Sequence, residues 1–131
     1  MKKVLFVCVG NSGRSQMAEA FFNNIAKGKA EASSAGTNPA AIVDPQVVQA
    51  MQEVGIDISG YTPKKITLQM VEGSDRVVIM GCGSENACPA TFVPTEDWGL
   101  DDPKGQSIDK VREIRDEIKR RVEELVLQIA A

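Results

Sequence analysis

Apolar residues along this 131-residue chain follow two rhythms, and the switches between them mark the elements. Val4-Leu5-Phe6-Val7 is unbroken rather than alternating, so Lys2 to Val9 reads as a parallel-type strand buried on both faces. Helical spacing then takes over from about Arg14 to Lys27. Glu31 to Ala35 is a short second strand closed by Gly36. Asp44-Pro45 supplies an N-cap with Pro at the first helical position, and Gly55 stops the helix carrying Val47, Val48, Met51 and Val54. Thr62-Pro63 repeats that start signal and predicts a shorter helix holding Ile66 and Met70, ending near Gly73. Asp75 to Met80 is a third strand and Thr91 to Thr95 a fourth. Ile108, Val111, Ile114, Ile118, Val122, Leu125 and Ile129 recur at helical spacing, so a last helix, from about Ser107 to Ile129, turns that stripe to the core.

Strand and helix alternate with no internal repeat, low-complexity segment or linker. The pattern predicts one α/β domain over residues 1–131, its parallel sheet covered on both faces. Ligands of such sheets sit beyond the carboxyl ends of the strands. Cys8 closes the first strand and Cys82 follows the third, so both belong on one edge.

That edge gathers the chemistry. Cys8-Val9-Gly10-Asn11-Ser12-Gly13-Arg14-Ser15 places a cysteine and an arginine with five residues between them, after a strand and before a helix. The turn from Val9 to Ser15 points its backbone N–H groups into one small cavity, a nest for a tetrahedral oxyanion backed by a helix N-terminus. Arg14 adds a planar fork for two of the anion's oxygens. Cys8 sits where the same positive field favours a thiolate. A small buried hydrophobe at Cys8 and a surface charge at Arg14 form the bland alternative. The Cys–Arg spacing, the loop glycines and the following helix together favour a reaction centre.

Composition narrows the chemistry. A net charge of -3 gives no general attraction to nucleic acid or an anionic membrane. No apolar stretch is long enough to span a bilayer and the first residues already form a core strand, so a cytoplasmic chain without signal peptide is expected. There is no histidine, which excludes Cys-His and Ser-His catalysis and His-ligated metal. Acid–base work falls to carboxylates or hydroxyls. The three cysteines are an odd number for a static disulfide framework and suit catalytic or redox thiols.

Gly81-Cys82-Gly83-Ser84-Glu85-Asn86-Ala87-Cys88-Pro89 has the small, polar composition of a mobile loop. Such a loop could bring Cys82 first to Cys8 and then to Cys88. Structural zinc is disfavoured by the spacing and the missing histidines. After the fourth strand, Trp98-Gly99-Leu100-Asp101-Asp102-Pro103 offers a carboxyl that could protonate a departing oxygen. Local chemistry does not separate Asp101 from Asp102, and a plain Asp-Pro turn is the alternative.

Cys8 to Glu19, Ser34-Ala35-Gly36, Ile56-Asp57-Ile58-Ser59, the Cys82/Cys88 loop and Glu96 to Pro103 together carry a resemblance. The chain resembles, nearly end to end, the thioredoxin-coupled arsenate reductases, which share the low-molecular-weight protein tyrosine phosphatase fold. The resemblance implies a three-layer α/β/α fold with a four-stranded parallel sheet. It implies Cys8 as nucleophile, Arg14 and the amides of Val9 to Ser15 as oxyanion binders, Ser15 as a thiolate partner and Asp102 as acid. It further implies a Cys8/Cys82/Cys88 disulfide relay that reduces arsenate for detoxification. Thioredoxin would be the electron donor to a monomer with no bound cofactor, and phosphate or sulfate would be substrate analogues. Five residues separate Cys82 from Cys88, a shorter loop than is common in that family. Some members hold potassium with residues like Asn11, Glu19 and Ser34 plus an acidic group. Lys64 stands where that group is expected, so no metal site is expected here. The rivals are a phosphatase using Cys8, Arg14 and Asp102, and a non-catalytic thiol sensor. Tyr61 is the only tyrosine and Lys104-Gly105 follows the Asp-Pro pair, a poor reception for a phenyl ring.

Overall fold

The computed structural model of the chain describes residues 2–81 and 95–129. In chain order these form β1 (Lys2–Cys8), α1 (Arg14–Ala26), β2 (Ala30–Gly36), α2 (Pro45–Gln52), α3 (Leu68–Glu72), β3 (Arg76–Ile79), β4 (Thr95–Asp97) and α4 (Ile108–Ile129). The strands make one four-stranded sheet in the order β2-β1-β3-β4, with every pairing parallel.

The unbroken apolar run of β1 has a direct cause. Side chains alternate across a strand, and each face of this sheet carries its own core. Val4, Phe6 and Cys8 face the larger one, with Met17, Phe21 and Phe22 of α1, Met51 of α2 and the Ile114, Ile118 and Val122 stripe of α4. Leu5 and Val7 face a smaller one with Val71, Val77 and Ile79, against which Ile66 and Met70 pack. The sheet is thus the middle of three layers, as expected. Register aligns Cys8 with Gly36 and Val7 with Ile79, and Ile79 with Asp97, so these strand ends share one edge.

Several element boundaries differ from the sequence reading. The helix expected from Thr62-Pro63 begins only at Leu68, where the Thr67 hydroxyl caps it by accepting from Met70 N at 3.2 Å. Residues 62–66 instead run alongside the end of β2. Gly36 N donates to Lys64 O at 2.7 Å, and Ile66 N donates to Gly36 O at 2.9 Å. Those non-local bonds satisfy the backbone that a local helix would otherwise have used. The fourth strand lies at Thr95–Asp97; Thr91 to Pro94, the rest of the expected span, lies outside the described residues. Val54, read as part of the α2 stripe, falls beyond that helix and is exposed.

Candidate active site

The loop from Val9 to Gly13 joins β1 to α1, and the carbonyls of Val9, Gly10 and Ser12 are held by the backbone of residues 38–44. Thr37 N donates to Cys8 O at 3.1 Å, Asn38 N to Val9 O at 2.8 Å, Ala40 N to Gly10 O at 2.9 Å and Asp44 N to Ser12 O at 2.9 Å. With the carbonyls held on the outside, the alternating amides of the turn face the inside. Gly13 caps α1 without a side-chain hydrogen bond, so the first N–H groups of the helix stay open to a ligand. No motif in the sequence marks residues 37–44 as this brace.

Cys8 is 2% exposed, at the base of a cavity of about 260 Å³. The walls are the loop itself, Asn38-Pro39-Ala40 and the side chains of Arg14, Asp102 and Lys104. None of these lining residues is aromatic.

The sulfur has two partners: Asn11 N donates to Cys8 Sγ at 3.2 Å, and Ser15 Oγ lies 2.9 Å away. The direction of the Ser15 bond follows from the groups behind it. Lys64 N donates to Asn11 Oδ1 at 2.9 Å, which fixes the Asn11 amide because a backbone N–H can only donate. Gln16 Nε2 donates to the same oxygen at 3.0 Å and to Asn11 O at 3.1 Å. Asn11 Nδ2 therefore faces Ser15 Oγ, at 2.7 Å, and donates to it. The Ser15 hydrogen is left for Cys8 Sγ, an arrangement that suits a thiolate. Asn11 holds a left-handed φ of 49°, a conformation tolerated well by Asn. Gln16 is fully buried, and its Nε2 also reaches Thr62 O at 3.2 Å. Nothing in the sequence marked Gln16 or the Lys64 amide as parts of this network.

Arg14 is 5% exposed and its fork is divided. Nη1 faces three carbonyl oxygens, of Met80 at 2.8 Å, Gly81 at 2.6 Å and Leu100 at 2.9 Å. Nη2 lies 3.8 Å from Asp102 Oδ2. The two adjacent carboxylates separate cleanly: Asp102 lines the cavity, while Asp101 Oδ2 is 3.0 Å from Lys110 Nζ and helps hold that ammonium in its charged form. Close packing keeps Asp102 over the loop. A Cβ on Gly13 would stand 2.8 Å from Pro103 Cγ, so only glycine lets the Asp-Pro turn sit this near. Cys82 and Cys88 lie outside the described residues.

Behind the loop, Glu19 Oε1 accepts from Ser34 Oγ at 3.0 Å and lies 3.9 Å from Lys64 Nζ. Burial pushes the Glu19 carboxyl above its ordinary value, and Lys64 and Ser34 draw it back. The Lys64 ammonium stands beside the acid. No described helix is long and apolar enough to cross a membrane.

Known proteins resemble this chain in sequence and fold. The sequence model of the low molecular weight phosphotyrosine protein phosphatase family matches residues 3–131. A glutaredoxin arsenate reductase of Synechocystis is 44% identical over 99% of this chain and 100% of its own length. An arsenate reductase solved in a phosphate-binding state superposes with a TM-score of 0.87 at 41% identity, over 98% of this chain and 99% of its own. The thioredoxin-dependent arsenate reductase of Corynebacterium glutamicum gives 0.84 at 38% identity, over 98% of this chain and 62% of its own.

Proposed function

The chain belongs to the low molecular weight phosphotyrosine protein phosphatase family, and within that family we propose that it reduces arsenate to arsenite. The buried Cys8 sulfur carries this reading: it lies at the base of a cavity with room for an oxyanion and accepts hydrogen bonds from Asn11 N and Ser15. Relatives with arsenate reductase names at 38–44% identity support it. Among the described residues that line the cavity none is aromatic, which supports a small inorganic anion over an aryl phosphoester.

In this reading the amides of Val9 to Ser15 and Arg14 Nη2 bind the arsenate oxygens. Cys8 thiolate attacks As(V) and forms an S–As bond, while Asp102 gives a proton to the departing oxygen, which leaves as water. Cys82 thiolate then attacks Cys8 Sγ. The S–S bond forms, the S–As bond breaks, and its electron pair stays on arsenic, releasing arsenite. Cys88 thiolate attacks Cys82 next, which frees Cys8 and leaves a Cys82–Cys88 disulfide. A dithiol protein of the thioredoxin class reduces that disulfide and is itself oxidised. Such traffic of thiols belongs in a reducing compartment such as the cytoplasm, and the reaction needs no bound cofactor and no second copy of the chain.

The test is NADPH consumption with thioredoxin and thioredoxin reductase, started by arsenate, with Cys88→Ser alongside. Turnover that needs arsenate and Cys88 supports the relay. A parallel assay with glutathione and glutaredoxin identifies the donor. Hydrolysis of an aryl phosphate without arsenate-driven turnover would replace the reductase by a phosphatase.

A further inference from the structure

Gly81, the residue before Cys82, is gripped on both sides of its backbone. Its N–H donates to Asp97 Oδ1 at 3.1 Å, and its carbonyl accepts from Arg14 Nη1 at 2.6 Å. Asp97 Oδ1 also accepts from Gly99 N at 2.8 Å, and Arg14 Nη1 also faces Leu100 O at 2.9 Å. Asp97 and Arg14 thus tie the end of β3 to the start of the loop that carries Asp102. The approach is too close for a side chain: a Cβ on Gly81 would stand 2.5 Å from Leu100 O, and the backbone there has φ +83°. Gly81 accordingly needs its glycine, and its position depends on a carboxylate outside the anion cavity.

From this geometry we infer that Asp97 is a positioning residue for the second step of the reaction, through the Gly81 peptide. The inference rests on the reductase reading above, in which Cys82 thiolate attacks Cys8 Sγ. The thiol of Cys82 is carried one residue beyond the clamped peptide, so the clamp fixes where its chain departs from the sheet edge. The same nitrogen of Arg14 that holds Gly81 belongs to the guanidinium that faces the anion cavity. Anion binding and the root of the relay cysteine therefore share one side chain. Asp97 supplies the other half of the grip without touching substrate.

Asp97→Ala removes the acceptor, Asp97→Asn keeps an oxygen in the same place, and Gly81→Ala forces the peptide off Leu100. Two readouts separate the steps: thioredoxin-coupled turnover with arsenate, and the arsenate concentration that half-protects Cys8 from iodoacetamide. Turnover of Asp97→Ala and Gly81→Ala is expected to fall about tenfold or more, since small misplacements of a reacting group cost rate steeply. In Asp97→Ala the half-protecting concentration should stay at the wild-type value, whereas Gly81→Ala also crowds Arg14 Nη1, 3.1 Å from the added Cβ, and is read by turnover alone. Asp97→Asn should recover most of the turnover. Asp97→Ala turning over at the wild-type rate would overturn the inference. So would a loss of protection in Asp97→Ala in step with its loss of turnover, because the damage would then lie in the anion site. A wild-type protein that fails to reduce arsenate overturns the reductase reading itself, and that is read from the wild-type arm alone.

Discussion

Ser15 Oγ lies 2.9 Å from Cys8 Sγ, and the Asn11 amide that donates to Ser15 leaves the hydroxyl hydrogen only the sulfur to serve. This makes Ser15 the donor to the Cys8 sulfur. Ser15→Ala should slow alkylation of Cys8 at neutral pH, and arsenate turnover with it, by about tenfold, the value of one hydrogen bond to a charged group. An unchanged alkylation rate would show that Asn11 N and the open helix end suffice.

Asp102 and Asp101 differ by what stands opposite them. Asp102→Asn should slow formation of the S–As bond by roughly 10²–10⁴-fold, the usual range for a lost general acid. Asp101→Asn should leave that step intact, because its partner Lys110 sits on α4 at an exposed ion pair of little energetic weight. Single-turnover mixing of each variant with arsenate decides between them. Equal rates would move the proton to solvent.

That distinction shows what the sequence could carry. Val4 to Val7 announced a doubly covered strand because the pattern is local and both cores are real. Cys8 and Arg14 were legible because their spacing is set by one turn. Asp101 and Asp102 were not separable, since Lys110 is brought to Asp101 by α4 packing rather than by neighbourhood in the chain. The misread start at Thr62-Pro63 has a similar cause: its backbone partner, Gly36, is far away in sequence. Gln16 reads as an ordinary helix residue until the fold presents Asn11 to its amide.

Gly13 is a close meeting of the anion loop and the acid turn. Gly13→Ala puts a methyl group 2.8 Å from Pro103 Cγ, a ring that cannot simply swing aside. The Asp-Pro turn must lift, taking the Asp102 carboxyl with it. The maximal rate should fall by about tenfold or more, as for other small misplacements of a reacting group. Iodoacetamide should still reach Cys8 at the wild-type rate or faster. A variant with normal turnover would mean that the turn adjusts without moving its acid.

Glu19 and Lys64 give a pH signature of the buried charge beneath the loop. Burial is the largest influence on Glu19 and raises it above its ordinary 4.5, with Lys64 the chief counterweight. An acid whose folded-state value is raised keeps its proton longer folded than unfolded. Its contribution is most favourable below 4.5 and is lost as pH rises through the raised value. Lys64→Met removes the counterweight, so the loss on going to neutral pH should grow. The melting temperature of Lys64→Met should lie below that of the wild type at pH 7.5, and the gap should narrow at pH values under 4.5, where Glu19 is protonated in both states. Adding Glu19→Gln should abolish the pH dependence of the gap. A gap of constant size from acid to neutral pH would show that Lys64 acts by packing its aliphatic stem instead. Turnover should survive in Lys64→Met, because the contact that orients Asn11 is the Lys64 backbone N–H, which the substitution leaves in place.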